Sequence, residues 1–263
     1  MDNLIVKQDN MNMVYYKTLI RLLTIGTTIT NRQGETLTEL INPTLILTNP
    51  IDCFCTVRKM SFDYLKGEME FYMSGSDRLK DIARYSKFWN KCSDDGETII
   101  SNYGKLLLHD KNSYGYTQFN YAKEMLIRNK DSKKAVMTIY APNHAKKSND
   151  NPCTMYLQFF IRKERLDLYV KMRSSDVWYG LPYDIPFFVF IQTLLKEELN
   201  QSGYELDLGV YNHQAGSLHF YHRNLEKILE TIKFFRQNYR ELSDEEQGYL
   251  YEEHILSKLW RGE

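Results

Sequence analysis

Residues 152–184 read PCTMYLQFFIRKERLDLYVKMRSSDVWYGLPYD, and this stretch decides the fold class. Positions 154–161 and 166–172 are rich in β-branched and aromatic side chains and predict two consecutive strands. The loop at 142–152, the most polar stretch in the middle of the chain, runs straight into Pro152 and Cys153. A cysteine where a polar loop meets a core strand is held rigidly on one side and reached by solvent on the other, as reactive thiols are. The alternative is a buried structural thiol, because free cysteine is commonly just core.

Outward from this stretch, residues 36–48 (TLTELINPTLILT) predict β structure that ends at the Asn49–Pro50 break. From Phe62 to Cys92 the pattern is helical, with Ser76 as N-cap before DRLKDIARYSKFW, and residues 116–129 predict another helix. Residues 135–141 predict a strand, 185–199 a buried helix and 206–211 a further strand, and the last forty residues predict two amphipathic helices. Strands and helices are segregated rather than strictly alternating, which predicts an α+β fold, helices packed on a mixed sheet. No repeat, low-complexity tract or linker divides the chain, so one domain spanning 1–263 is expected.

Composition removes several classes. Lys plus Arg and Asp plus Glu number 34 each, so no global field favours DNA, RNA or a membrane surface. The apolar run around 185–195 is far short of a bilayer span, and the polar start MDNLIVKQDN is no secretory h-region. Four cysteines without a disulfide pattern fit a reducing, cytoplasmic setting. Cys53-x-Cys55 lacks a second pair at zinc spacing, so no metal is expected.

Arg173 follows Cys153 by twenty positions and opens Arg173-Ser174-Ser175-Asp176-Val177-Trp178-Tyr179-Gly180-Leu181-Pro182-Tyr183-Asp184. Gly216-Ser217-Leu218-His219-Phe220-Tyr221 follows, while upstream Glu68 precedes Gly75 by seven residues, with Trp89 and Asn102-Tyr103-Gly104 in order between. Taken together, from about residue 20 to 225, these motifs resemble the thymidylate synthase superfamily. The resemblance implies a thymidylate synthase-like fold and folate-dependent one-carbon transfer to C5 of a pyrimidine nucleoside monophosphate. Cys153 would be the nucleophile, Glu68 the proton-handling carboxylate, and Arg173 and Ser174 the phosphate ligands. His219 and Tyr221 would hold the sugar, and Trp89, Asp176, Tyr179 and Gly180 would line the pocket for 5,10-methylenetetrahydrofolate. The chemistry is coherent: thiolate addition at C6 turns C5 into an enamine-like carbon, and a cation such as Arg173 favours the thiolate.

Departures from the family pattern refine this. Synthases have Asn where this chain has Asp184; a carboxyl accepts from the cytosine amino group and can supply the N3 proton, whereas it faces uracil O4 with an anion. Thr154, and Val210-Tyr211-Asn212 leading to Gly216-Ser217-Leu218-His219, resemble deoxycytidylate hydroxymethylases, and Ala215-Gly216-Ser217 stands where synthases have a Gly-Gly-Asp stretch. The expectation is therefore a cytidylate 5-hydroxymethyltransferase acting on dCMP or CMP. Folate-dependent methylation of cytidylate or dUMP is the alternative, and a non-catalytic nucleotide- or RNA-binding protein the competing class. Lys133 and Lys134 stand where the family has paired arginines that reach the phosphate from the second subunit of a homodimer; lysine keeps the charge and loses the planar fork.

Overall fold

A computed structural model describes residues 4–238. The two strands read within 152–184 and the buried helix read at 185–199 are present and longer than predicted. Strand β6 spans Thr154–Arg162, β7 spans Arg165–Asp176, and helix α5 spans Leu181–Gln201. The β6–β7 hairpin turns at Lys163 and Glu164, both at positive φ. Helix α5 is buried almost all round through its first four turns, which is why it reads as apolar rather than amphipathic. It packs on β7 and on β8 (Asp207–Tyr221), and Gln192 donates to the carbonyls of Leu166 and Val210.

Strand β8 is the spine of one mixed sheet. It runs parallel to β7 on one edge. Along its other edge lie two antiparallel strands in tandem, β4 (Thr44–Leu47) and then β3 (Thr36–Ile41). The predicted single β stretch at 36–48 therefore breaks at Asn42, which takes a left-handed φ of 56° and donates from its backbone to the carbonyl of Gly216. Strand β1 (Ile5–Gln8) pairs with β4, β2 (Thr27–Thr30) with β3, and β5 (Val136–Thr138) with β6. Gly216 permits the close approach of β8 to β7: an added Cβ would sit 2.6 Å from the Arg173 carbonyl oxygen.

Helix α1 (Met11–Ile25), absent from the sequence reading, starts at Asn10, whose side chain accepts from the Met13 N–H. It buries Met11, Val14, Tyr15, Leu19 and Leu22 against the sheet. The helical stretch at 62–92 resolves into α2 (Phe62–Ser74), α3 (Leu79–Ala83) and a 3-10 turn at Lys87–Lys91. Ser76 is not the N-cap: Arg78 holds that place, and the Ser76 hydroxyl accepts from the Arg78 N–H and donates to Asp81 instead. Helix α4 (Gln118–Arg128) is capped by Thr117, and only 136–138 of the stretch predicted at 135–141 is strand. Helix α6 (Leu225–Asn238) is the first of the two C-terminal helices; the second lies outside the described residues. Among those residues no helix is long and apolar enough to cross a membrane.

Candidate active site

Cys153 sits one residue before β6, and its backbone is fixed on both sides. Its N–H and that of Thr154 donate to the Tyr103 hydroxyl at 3.3 and 3.4 Å, and its carbonyl accepts from the Arg173 N–H at 2.8 Å. The Arg173 side chain turns back over the same loop. Its Nε donates to the Pro152 carbonyl (3.0 Å) and one terminal nitrogen to that of Asn151 (2.9 Å), while the residue stays exposed. The polar loop is further pinned through Asp150, which accepts from the Ile100 and Ser101 N–H groups. Arg173 lowers the Cys153 pKa as the sequence predicted, but burial outweighs it, and Asp184 and Asp176 push the same way as burial. Burial thus favours the thiol form of Cys153 over the thiolate.

Two carboxyls from two elements, Asp176 and Asp184, act on this cysteine, and a third, Glu68, faces Asp184. Asp176 ends β7 and accepts from the N–H groups of Trp178 (2.7 Å) and Tyr179 (3.3 Å); burial raises it against the pull of those bonds, His219 and Arg58. Asp184 lies in the first turn of α5, where the helix dipole favours an anion. Burial, and then Asp176, nevertheless push it up to about 7. Gly180 caps this helix, and a Cβ there would stand 3.1 Å from an Asp184 carboxyl oxygen and 3.2 Å from the Asp176 carbonyl.

Glu68 projects from α2 and is 8% exposed. Its Oε1 accepts from the Tyr64 hydroxyl at 2.8 Å and, at 3.5 Å, from that of Tyr72. Burial is the main reason its pKa stands at about 8; the two phenols pull it down and Asp184 pushes it up. Trp89 donates its indole N–H to the Tyr64 hydroxyl at 3.1 Å. Tyr72 in turn stacks on Tyr103 (5.6 Å between centroids), so an aromatic column links Glu68 to the residue that holds Cys153.

The parallel register of β7 and β8 sets Ser174 beside Ser217 and Asp176 beside His219. His219 and Tyr221 share one face, their rings edge-on at 5.2 Å, and the buried His219 Nδ1 has no hydrogen-bond partner. Tyr179 is 52% exposed and Trp178 half-buried next to it. Lys133 and Lys134 are not brought to this site. They are exposed in the turn before β5, where the Lys133 carbonyl accepts from Gln158, five residues along β6 from Cys153. That is roughly 17 Å at the usual ~3.3 Å rise per residue.

Sequence reasoning missed Tyr64 and Tyr72, although they lie four residues either side of Glu68 and so share its helix face. It also missed Arg58, which no spacing marks. Arg58 is 6% exposed, its Nε and one terminal nitrogen lack partners, and its guanidinium lies 4.6 Å from the Trp178 ring centroid. Among the described residues no group of three His, Cys, Asp or Glu is placed to hold a metal ion.

A cysteine held just ahead of β6 by an arginine, with buried carboxyls nearby and a strand that carries histidine and tyrosine, is the residue set that a one-carbon transferase of pyrimidine nucleotides needs. Comparison with known proteins agrees. A family model described as thymidylate synthase matches residues 13–246. The deoxycytidylate 5-hydroxymethyltransferase of Enterobacteria phage T4 is 27% identical over 204 residues, 74% of this chain and 80% of the relative. The thymidylate synthase of Francisella philomiragia is 23% identical over 233 residues, 78% of this chain and 83% of the relative. A synthase from Listeria innocua is 26% identical over 166 residues, 62% and 50% of the two chains. The chain belongs to the thymidylate synthase family and is a folate-dependent one-carbon transferase.

Proposed function

We propose that this protein is a cytidylate 5-hydroxymethyltransferase, which moves a hydroxymethyl group from 5,10-methylenetetrahydrofolate to C5 of dCMP or CMP as a cytoplasmic homodimer. The observation that carries this reading is the Asp184 carboxyl, set near the nucleophile and titrating at about 7. Near neutral pH it exists in both forms. The acid donates to cytosine N3 while its other oxygen accepts from the amino group; the anion still accepts from the amino group and from a protonated N3. Uracil is matched only by the acid, because the anion opposes O4. The likeness to the phage T4 hydroxymethyltransferase supports the same base.

The residues assign themselves to steps. Cys153 loses its proton and its sulfur bonds to C6, and Asp184 supplies a proton to N3 as C5 becomes nucleophilic. Glu68 then moves protons to and from ordered water near C5: the C5 hydrogen leaves as a proton, water adds to the transferred carbon, and the C6–sulfur bond breaks to return the Cys153 thiolate and give the hydroxymethyl product. The exposed edge of Arg173, with Ser174, binds the phosphate, while Lys133 and Lys134 act from the second subunit. His219, through its unpartnered Nδ1, and Tyr221 take the sugar hydroxyl. The surroundings of Asp176 fit a folate: a carboxyl for ring N–H groups, the half-exposed Tyr179 face for stacking, and the unpartnered Arg58 guanidinium for a carboxylate. Bound there, the folate supplies the one-carbon unit at the oxidation level of formaldehyde. Trp89, buried and bonded to Tyr64, is assigned to the folate pocket by the family resemblance alone.

The test is mass spectrometry of dCMP, CMP and dUMP, each incubated with the protein and methylenetetrahydrofolate. A gain of CH₂O on a cytosine nucleotide without dihydrofolate establishes the reaction and the sugar. A gain of CH₂ with dihydrofolate makes the enzyme a methylase on whichever base reacted. No product with any of the three favours a nucleotide-binding protein.

A further inference from the structure

The hydrogen bonds from Trp89 to Tyr64 and from Tyr64 to Glu68 have a direction that follows from donor chemistry alone. An indole N–H is a donor only, so at 3.1 Å the Tyr64 oxygen must accept it. The phenol has one proton, and with a lone pair occupied by the indole that proton is committed to Glu68 Oε1, 2.8 Å away. An oxygen that accepts such a bond is a poor place for the carboxyl's own proton. The Tyr72 hydroxyl leans on the same Oε1 at 3.5 Å. Both phenols therefore engage one oxygen and leave Oε2 for exchange with the substrate or its water.

We propose that Tyr64, locked by Trp89, is a positioning residue that confines the exchangeable proton of Glu68 to Oε2. It rests on the reading above that Glu68 is the proton-handling group, and deepens it by saying what aims that group. Trp89 thereby gains a role distinct from the folate contact implied by the family resemblance. The geometry is economical: Tyr64 and Glu68 are one helical turn apart on α2, so only the Trp89 contact, 25 residues away in sequence, needs tertiary structure. Tyr64 is itself braced edge-on by Tyr183 at 5.0 Å, next to Asp184. The titratable groups facing Glu68 are Tyr64 and Tyr72 from its own helix and Asp184 from α5, with Tyr103 behind Tyr72.

The experiment uses the full chain without ligands. The Glu68 carboxyl stretch is followed by difference infrared spectroscopy as pH is stepped, and is assigned by its loss in Glu68→Gln. Wild type should titrate near 8. Tyr64→Phe removes a hydrogen bond to the carboxylate and should move the midpoint up by about one to two pH units, the size of one such bond. Trp89→Phe should give a smaller shift in the same direction, because the phenol remains but can turn away. Tyr64→Phe combined with Trp89→Phe should shift no further than Tyr64→Phe alone. In turnover, Tyr64→Phe should lower kcat about tenfold or more with KM for nucleotide and folate within a few-fold. The proposal is overturned if Tyr64→Phe leaves the midpoint in place, or if Trp89→Phe raises KM for folate with no effect on the Glu68 midpoint. Failure of the underlying reading looks different: Glu68→Gln would then keep full turnover while the infrared shifts still occur.

Discussion

Replacing Asp184 by asparagine separates base recognition from proton supply. An amide can turn to pair with either base, donating to N3 and accepting from N4–H of cytosine, or accepting from N3–H and donating to O4 of uracil. Asp184→Asn should therefore keep KM for dCMP within a few-fold. The amide has no proton to give N3, so kcat on dCMP should fall about 10²- to 10⁴-fold, the usual worth of a general acid. For dUMP the sign reverses. The wild-type carboxyl titrates at about 7, so at pH 8 roughly nine in ten molecules oppose O4 with an anion. Removing that unmatched contact recovers about 1–3 kcal/mol, or ~5- to ~150-fold in kcat/KM. The pH dependence sharpens the test: wild-type kcat/KM for dUMP should fall as pH rises through about 7 and level off once the ~5- to ~150-fold penalty is reached, and the fall should vanish in the variant. Steady-state kinetics on both nucleotides between pH 6 and 9 are sufficient. Unchanged kcat on dCMP would refute the proton-supply argument, and unchanged kcat/KM on dUMP the base assignment.

Other substitutions probe the remaining machinery. Cys153→Ala should abolish turnover while calorimetry shows nucleotide binding within a few-fold of wild type; surviving turnover would rule out the covalent route. Glu68 is raised from 4.5 to about 8, so the folded state holds its proton more tightly than the unfolded chain. That stability is fully present below pH 4.5 and lost as pH rises through about 8. Glu68→Gln should thus raise Tm relative to wild type above pH 8, by an effect of at most ~5 kcal/mol, with the gap closing below pH 4.5. A scan showing the same gap at both extremes would remove burial of the carboxyl as its cause. Gly216→Ala places a Cβ 2.6 Å from the Arg173 carbonyl. It should destabilise by about 1–3 kcal/mol in urea unfolding and raise KM for nucleotide by displacing Arg173.

What was legible in the sequence follows contact order. Cys153, Arg173, Asp176 and Asp184 lie within one hairpin and the helix that follows it, so their linear spacing is nearly their spatial arrangement. β8 was read only to residue 211 because Asn212, His213, Gln214, Gly216 and Ser217 look like a loop. In the fold, His213 is buried and bonded to Tyr211 and Ser175, and Ser217 to Glu39, so the polar residues are satisfied across strands that the sequence does not show as neighbours. Tyr64 and Tyr72 carried a visible helical spacing to Glu68, but tyrosine at that spacing reads equally as packing. Arg58 carried none, since its surroundings come from Trp178 and Tyr183 at the far side of the chain.

The pairing of charges in the site is informative for what it avoids. Asp176, Asp184 and Glu68 arrive from β7, α5 and α2, while Arg58 acts on Asp176 and Arg173 on Cys153. Among the described residues no ion pair joins either arginine to any of the three acids. Arg173 is spent on the carbonyls before Cys153, and Arg58 lies on aromatic rings. A carboxylate bonded to an arginine loses affinity for its proton and would reach neutral pH already ionised. Left unpaired and buried, Asp184 and Glu68 instead stand at about 7 and about 8, where each can give a proton and take it back. The same separation keeps an edge of Arg173 available to an anionic ligand. Converting Arg58 into an ion pair with Asp176 would relieve two desolvated groups at once, and would offset the charge that, after burial, raises Asp184. The unpaired state therefore carries a stability cost, and what it preserves is the proton inventory of the site.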